Sequence, residues 1–248
     1  MLSAQQIKAR KGKEKIAQIT TYDFGFAKIA EAAGIDQILV GDSLANTMLG
    51  YKSTTSVGMA EMLIFTAAVC RGAPNTHVIA DMPYLSYENP ESALENAKKF
   101  MDVGAQSVKL EGFKPEVIET LVKNGIPVCA HLGLLPQTAV TMKQVGKTEE
   151  EAKRLLNEIK TIDAIGAYEC VLEHIPGELG ESLTKAVSLI TIGIGGGSHT
   201  DGHVTVLQDA IGINNGKIPP FATKYCNVFD VAKKGIEDYI SFVHGEAL

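Results

Sequence analysis

The chain contains no tryptophan, and aromatic residues make up 6% of its 248 positions. It therefore offers little of the stacking surface that single-stranded nucleic acid requires. Positive charge is also scarce: 23 Lys and Arg stand against 29 Asp and Glu, for a net charge of -6, without the basic footprint that phosphate neutralisation needs. Nucleic acid is not an expected partner. The local cluster Lys8, Arg10, Lys11, Lys13 and Lys15 reads as a solvated helix face or terminus. No apolar run reaches the roughly 18–20 residues that span a bilayer, so no membrane span is expected. Charges continue through the first residues, where a secretory signal would need an apolar stretch, so a cytoplasmic location is expected. The four cysteines, Cys70, Cys129, Cys170 and Cys226, lie far apart with no CxxC pairing. That fits buried thiols in a reducing compartment better than a disulfide framework or a zinc site.

What is present is a repeated alternation. Short runs rich in Val and Ile predict strands at Ile16 to Thr20, Gln37 to Val40, His77 to Ala80, Ser107 to Leu110, Ile126 to Ala130, Glu169 to Leu172, Ser188 to Ile194 and His203 to Leu207. Between them, apolar residues at three and four spacing predict helices over Phe24 to Ala33, Met59 to Arg71, Pro90 to Val103, Pro115 to Asn124 and Glu149 to Ala164. Gly34, Gly104, Gly125 and Gly166 suit the left-handed positions that end helices. Eight strands alternating with helices in a chain of this length, with no Pro/Ser-rich linker, predict an α/β fold of the (β/α)8 barrel type. We expect a single domain over residues 1–248 with an N-terminal helical segment at about 1–14. A doubly wound open sheet would show similar alternation.

The polar residues lie at the ends of these runs. Asp23, Asp42 with Ser43, Asp81, Lys109 with Glu111, His131 and Glu173 each close an apolar strand, and in a barrel those ends meet on one face. Singly, Asp42, Asp81 or Glu111 is as well explained as a helix N-cap or the partner of a nearby cation. Jointly they form an all-oxygen donor set that suits a hard cation, Mg2+ in particular. Lys109 and Glu111 flank Leu110 and share one strand face. Lys109 can bind a substrate carboxylate, form a Schiff base if desolvated, or pair with Glu111. His131 can hydrogen-bond a substrate oxygen or rest as a satisfied core group. Glu173, in the largely apolar run Cys-Val-Leu-Glu, is the general-base candidate. The Gly193 to Ser198 stretch serves either as a phosphate cradle or as a tight βα turn, and its spacing is neither a dinucleotide nor a Walker fingerprint.

Through Ile19-Thr20-Thr21-Tyr22-Asp23, Leu39-Val40-Gly41-Asp42-Ser43, Arg71-Gly72-Ala73-Pro74, Ala80-Asp81-Met82-Pro83, Val108-Lys109-Leu110-Glu111-Gly112, His131-Leu132-Gly133, Pro136-Gln137, Leu172-Glu173 and Ile192-Gly193-Ile194-Gly195, taken in order, the sequence resembles the ketopantoate hydroxymethyltransferases. The resemblance implies a phosphoenolpyruvate-mutase-like barrel, usually a homodecamer, acting in pantothenate and coenzyme A biosynthesis. It implies Asp42, Asp81 and Glu111 as Mg2+ residues; Asp42, Ser43, Asp81 and Lys109 as keto-acid contacts; Glu173 as proton acceptor, with His131 as helper. The implied reaction passes through a Mg2+-stabilised enolate of 3-methyl-2-oxobutanoate, with 5,10-methylenetetrahydrofolate as one-carbon donor. The loop Thr138 to Lys147 departs from the family pattern and is shorter, Leu135 stands where Thr is common, and Gly196 replaces the usual Ala. A Mg2+-dependent lyase or mutase acting on another 2-oxo acid would keep the carboxylates and Lys109 without needing folate. A catalytically silent module binding a 2-oxo acid or folate would have no need for Glu173.

Overall fold

The computed structural model describes residues 1–214, 216 and 218–245. In chain order its elements are α1 (Ala4–Lys8), β1 (Ile16–Thr20), α2 (Phe24–Ala32), β2 (Gln37–Val40), α3 (Leu44–Thr47), a 3-10 turn at Thr54–Ser56, α4 (Met59–Gly72), β3 (His77–Asp81), α5 (Pro90–Asp102), β4 (Ser107–Glu111), α6 (Pro115–Lys123), β5 (Val128–Gly133), α7 (Glu149–Ile165), β6 (Glu169–Glu173), α8 (Gly177–Lys185), β7 (Ile190–Ile194), β8 (Gly202–Thr205), α9 (Leu207–Ala210) and α10 (Val228–His244). Local chemistry sets the helix ends. Asn89 caps α5 ahead of Pro90, Thr148 and Glu151 form a capping box on α7, and Gly166 closes α7 at φ +108°.

The eight strands close in sequence order into a parallel barrel. Because strand side chains alternate, Val78, Ala80, Val108, Leu110, Ala130 and Leu172 join the outer core against the helices. Leu39, Ile79, Cys129, Val171 and Ile192 fill the lumen. Ala4 and Ile7 of α1 belong to that inner cluster, so the N-terminal helix contributes to the barrel's own core. Towards the N-terminal ends of the strands the lumen turns polar. Glu169 accepts from Gln18 Nε2 at 3.0 Å and Gln37 Nε2 at 2.9 Å. Nearby, the His77 ring meets the Ser107 hydroxyl at 2.9 Å and the carbonyl of Leu2 at 3.0 Å.

The strand expectations are met with shifts at the ends. β5 begins at Val128 rather than Ile126, because Pro127 has no N–H for the ladder. Leu207 lies in a helix rather than in the last strand. The short helix α3 and the helices α8 and α10 were not among those expected from spacing. Cys129 and Cys170 are buried as expected, whereas Cys70 is half-buried and Cys226 is exposed, and all four are free thiols. The chain forms two compact units, Met1–Val204 and Thr205–Leu248. In the second, Val228 N–H donates to Ile211 O at 2.9 Å, and α10 carries exposed Ile236, Tyr239, Ile240 and Val243 at helical spacing.

Candidate active site

Parallel pairing brings the predicted residues together at the C-terminal ends of the strands. The register sets Asp81 opposite Lys109, Glu111 opposite His131 and Gly133 opposite Glu173. Neighbouring strands lie about 4.8 Å apart, so each pair is within reach by backbone geometry alone. Lys109 Nζ donates to both Asp81 oxygens, at 2.9 and 2.8 Å. It thus pairs with Asp81, not with Glu111 as one reading of the sequence allowed. His131 lies between two carboxylates: Nδ1 is 3.5 Å from Glu111 Oε1, and Nε2 is 3.3 Å from Glu173 Oε2. Glu173 therefore faces a titratable partner rather than the apolar surroundings its sequence run suggests.

Asp42 enters one residue past Gly41 and offers its own N–H to Asp81 Oδ2 at 3.3 Å. Ser43 opens α3, yet its hydroxyl makes no cap and instead meets Tyr22 OH at 2.8 Å. Gln137, from the Pro136-Gln137 motif, ties the cluster together. Its N–H donates to Glu111 Oε2 at 3.0 Å, and its Nε2 donates to Asp42 Oδ2 at 2.9 Å and to Met82 O at 3.1 Å. Tyr87 OH in turn donates to Gln137 Oε1 and accepts from the Glu111 N–H. Tyr22, Tyr87 and Gln137 carry no charge at neutral pH and end no apolar strand, so strand-end reasoning passes over them. Gly133 is required by close packing. At φ +98°, a Cβ there would lie 2.2 Å from the Glu173 carbonyl, which accepts from Leu134 N–H at 2.9 Å. His174, the next residue, sits at φ +46°, an uncommon conformation for a side-chain-bearing residue at the end of a strand.

The electrostatics follow from burial. Desolvation, together with the Asp81 charge, raises the Asp42 carboxyl to about 7. Burial likewise raises Asp81 despite Lys109. For Glu111, burial acts upward, but His131, Lys109 and the Gln137 N–H together hold it below the usual value. Burial and the Lys109 charge press His131 towards neutrality, and its two carboxylates outweigh them and bring it up to about 9. Burial would lower Lys109, yet Asp81, Glu111 and Asp42 raise it further. Lys109 is thus held as an ammonium, which disfavours the Schiff-base reading.

Four carboxylates therefore share two cations, and Asp42, buried beside Asp81, is the carboxyl raised to about 7 even though Lys109 pulls it down. An oxygen-only donor set with excess negative charge fits a hard divalent cation. Among the described residues, no group of three His, Cys, Asp or Glu is arranged to hold a metal ion. Mg2+ needs only one or two carboxylates and completes its shell with water and substrate.

Other sequence candidates fall outside the cluster. Asp23 caps α2, accepting from Phe26 N–H at 2.9 Å. The glycine-rich turn after β7 makes room for the chain's own backbone, since a Cβ on Gly197 would lie 2.5 Å from Gly177 Cα. His199 and His203, to which the sequence assigns no role, are exposed.

The ketopantoate hydroxymethyltransferase family model matches residues 1–247. A 3-methyl-2-oxobutanoate hydroxymethyltransferase of Thermotoga maritima is 45% identical over 244 residues, covering 96% of this chain and 90% of that protein. Among solved structures, 2,3-dimethylmalate lyase, a PEP mutase/isocitrate lyase superfamily member, aligns with a TM-score of 0.61 at 15% identity, covering all of this chain and 90% of the other. A putative phosphonomutase from Burkholderia cenocepacia aligns with a TM-score of 0.65 at 14% identity, covering 98% of each chain. At that identity the structural likeness establishes the fold alone, a (β/α)8 barrel. With the family model spanning nearly every residue and this degree of identity to a curated relative, the chain belongs to the ketopantoate hydroxymethyltransferase family.

Proposed function

We propose that the protein transfers a hydroxymethyl group from 5,10-methylenetetrahydrofolate to 3-methyl-2-oxobutanoate, consuming water and giving 2-dehydropantoate and tetrahydrofolate. The observation that carries this reading is the constellation of buried Asp42, Asp81, Lys109, Glu111 and His131 with half-buried Glu173 at the C-terminal mouth of a barrel from this family. Asp42, Asp81 and Glu111 would hold Mg2+, one or two directly and the rest through water. When bound, the ion supplies Lewis acidity that stabilises negative charge developing on the keto-acid oxygens.

The chain's own groups do the rest. Lys109 has three N–H bonds; two engage Asp81, leaving one for the substrate carboxylate, which the Ser43 hydroxyl would also bind. Glu173, the most exposed of the cluster at 17% of its side chain, accepts the C3 proton. His131 positions that carboxylate through Nε2 and is itself oriented by Glu111. The carbon nucleophile left at C3 attacks the methylene unit of the folate. Self-association is part of this reading and is supported by the exposed apolar stripe of α10. A cytoplasmic setting is supported by the four free cysteines.

The test is proton exchange at C3 of 3-methyl-2-oxobutanoate in D2O with Mg2+ and no folate, followed by addition of methylenetetrahydrofolate. Exchange together with 2-dehydropantoate supports the transferase. Exchange without product moves the function to a lyase or to another donor. Absence of both points to a silent binding module.

A further inference from the structure

We propose that Gln137, its amide set by the Tyr87 hydroxyl, is a positioning residue that holds the Asp42 and Glu111 carboxylates in the orientation a divalent cation needs. This rests on the reading above that both carboxylates serve such an ion. The strand ladder cannot aim Asp42. β2 ends at Val40, whose pairing with Ala80 is the last in that register, so the Asp42 side chain lies two residues beyond it. Asp81 is tied through both oxygens to Lys109, and Glu111 and Glu173 each face a ring nitrogen of His131. Asp42 makes no ion pair among the described residues, and the side-chain donor on its carboxylate is Gln137 Nε2, at 2.9 Å.

Gln137 is itself fixed from several sides. Gln137 and Tyr87 are both buried. The backbone of Gln137 lies in a turn just past β5, where Thr138 and Ala139 both return their N–H to Leu135 O, at 3.1 and 2.9 Å, and its own N–H reaches Glu111 Oε2 at 3.0 Å. The loop carrying Tyr87 is tied to α5 by Asn96 Nδ2, which donates to Ser86 O at 2.8 Å. The side-chain amide has one workable orientation. The Met82 carbonyl and the Asp42 carboxylate only accept, so the NH2 end faces them, at 3.1 and 2.9 Å. Tyr87 OH accepts from the Glu111 N–H at 3.3 Å, and its single proton goes to Gln137 Oε1. Turned by half a rotation, the amide would set its oxygen against two acceptors. Both N–H bonds and the carbonyl oxygen are thus engaged, and the carboxylates they hold are oriented before an ion arrives. That spares the entropy of ordering them on binding.

The test is binding of Mn2+, standing in for Mg2+, to the EDTA-stripped full-length protein without substrate, read by electron paramagnetic resonance as loss of the free-ion signal. Gln137→Met keeps the length and removes the donor, and should weaken binding about tenfold or more. Tyr87→Phe should weaken it several-fold. The double variant should bind no more weakly than Gln137→Met alone, because the phenol acts through the amide. Val140→Ala, at an exposed position on the same loop, should leave affinity unchanged. In the C3 exchange assay Gln137→Met and Tyr87→Phe should need more Mg2+ for half the maximal rate, yet approach the wild-type rate when Mg2+ saturates. A merely structural role would lower the urea midpoint and leave the Mn2+ affinity of the folded variants as in the wild type, and that result would overturn the inference alone. If Gln137→Met does not fold, Tyr87→Phe set against Val140→Ala decides the question in the same way. A wild type that binds no Mn2+ would overturn the metal reading of Asp42 and Glu111, and the role of Gln137 with it.

Discussion

Glu169 is fully buried at the N-terminal end of the barrel lumen. It is held by Gln18, Gln37 and the Cys129 thiol, and no cation pairs with it among the described residues. Burial raises its carboxyl from 4.5 to about 7. A rise of that size corresponds to about 3 kcal/mol between protonation states. The folded state holds this proton more tightly than the unfolded chain does. The contribution to stability is therefore complete below about pH 4.5 and is lost as pH rises through about 7. Replacing Glu169 by Gln removes the titration while keeping the shape, and the new amide N–H has a waiting acceptor in Gln18 Oε1, which is buried without a partner among the described residues. His77 acts in the opposite sense, since burial lowers it to about 4 and stability is lost on acidification from 6.5 towards that value. The wild-type curve therefore mixes Glu169 with His77, Asp42 and His131, whereas the difference between the two proteins isolates Glu169. Urea unfolding at pH 5, 6, 7 and 8, at fixed protein concentration, should show Glu169→Gln gaining on the wild type by about 2–3 kcal/mol across the series. A difference that stays flat with pH would refute the reasoning.

Three further outcomes are expected. Glu173→Gln should slow C3 proton exchange by roughly 10²–10⁴-fold with an unchanged unfolding midpoint; near-normal exchange would remove Glu173 as the base. Lys109→Met should cost roughly 3–5 kcal/mol in urea unfolding by stranding Asp81, and adding Asp81→Asn should recover most of it; a double variant no more stable than the single one would contradict the pairing. Exhaustive EDTA treatment should abolish exchange and Mg2+ should restore it, and activity that survives chelation would contradict a metal requirement.

The barrel was legible because its signal is repetitive. Ile16 to Thr20 and Gln37 to Val40 coincide with the observed strands, and Gly34, Gly104, Gly125 and Gly166 all take the left-handed conformation expected of helix exits. Helix α8 was hidden by Gly177 and Gly180, which lower helix propensity but admit the neighbouring turn. The membership of the site was legible from charges at strand ends. Its pairing was not: spacing within β4 relates Lys109 to Glu111, and only the register with β3 sets Lys109 against Asp81. Gln137 escaped for a related reason, since a neutral side chain on a loop gives no sign in the sequence that three strand ends depend on it.

The register has a consequence for how this site tolerates change. Asp81, Lys109, Glu111 and His131 are spaced by the ladder that closes the barrel, so the backbone serves as a ruler for the charges. Sliding one strand by a single residue would turn its charged side chain outward among the helices and an aliphatic one inward. Chemistry and closure would fail together. Novelty in such an enzyme is therefore confined to parts that do not keep the measure, such as the loop after Gln137, where segments can lengthen, shorten or change character while the charges stay a fixed distance apart.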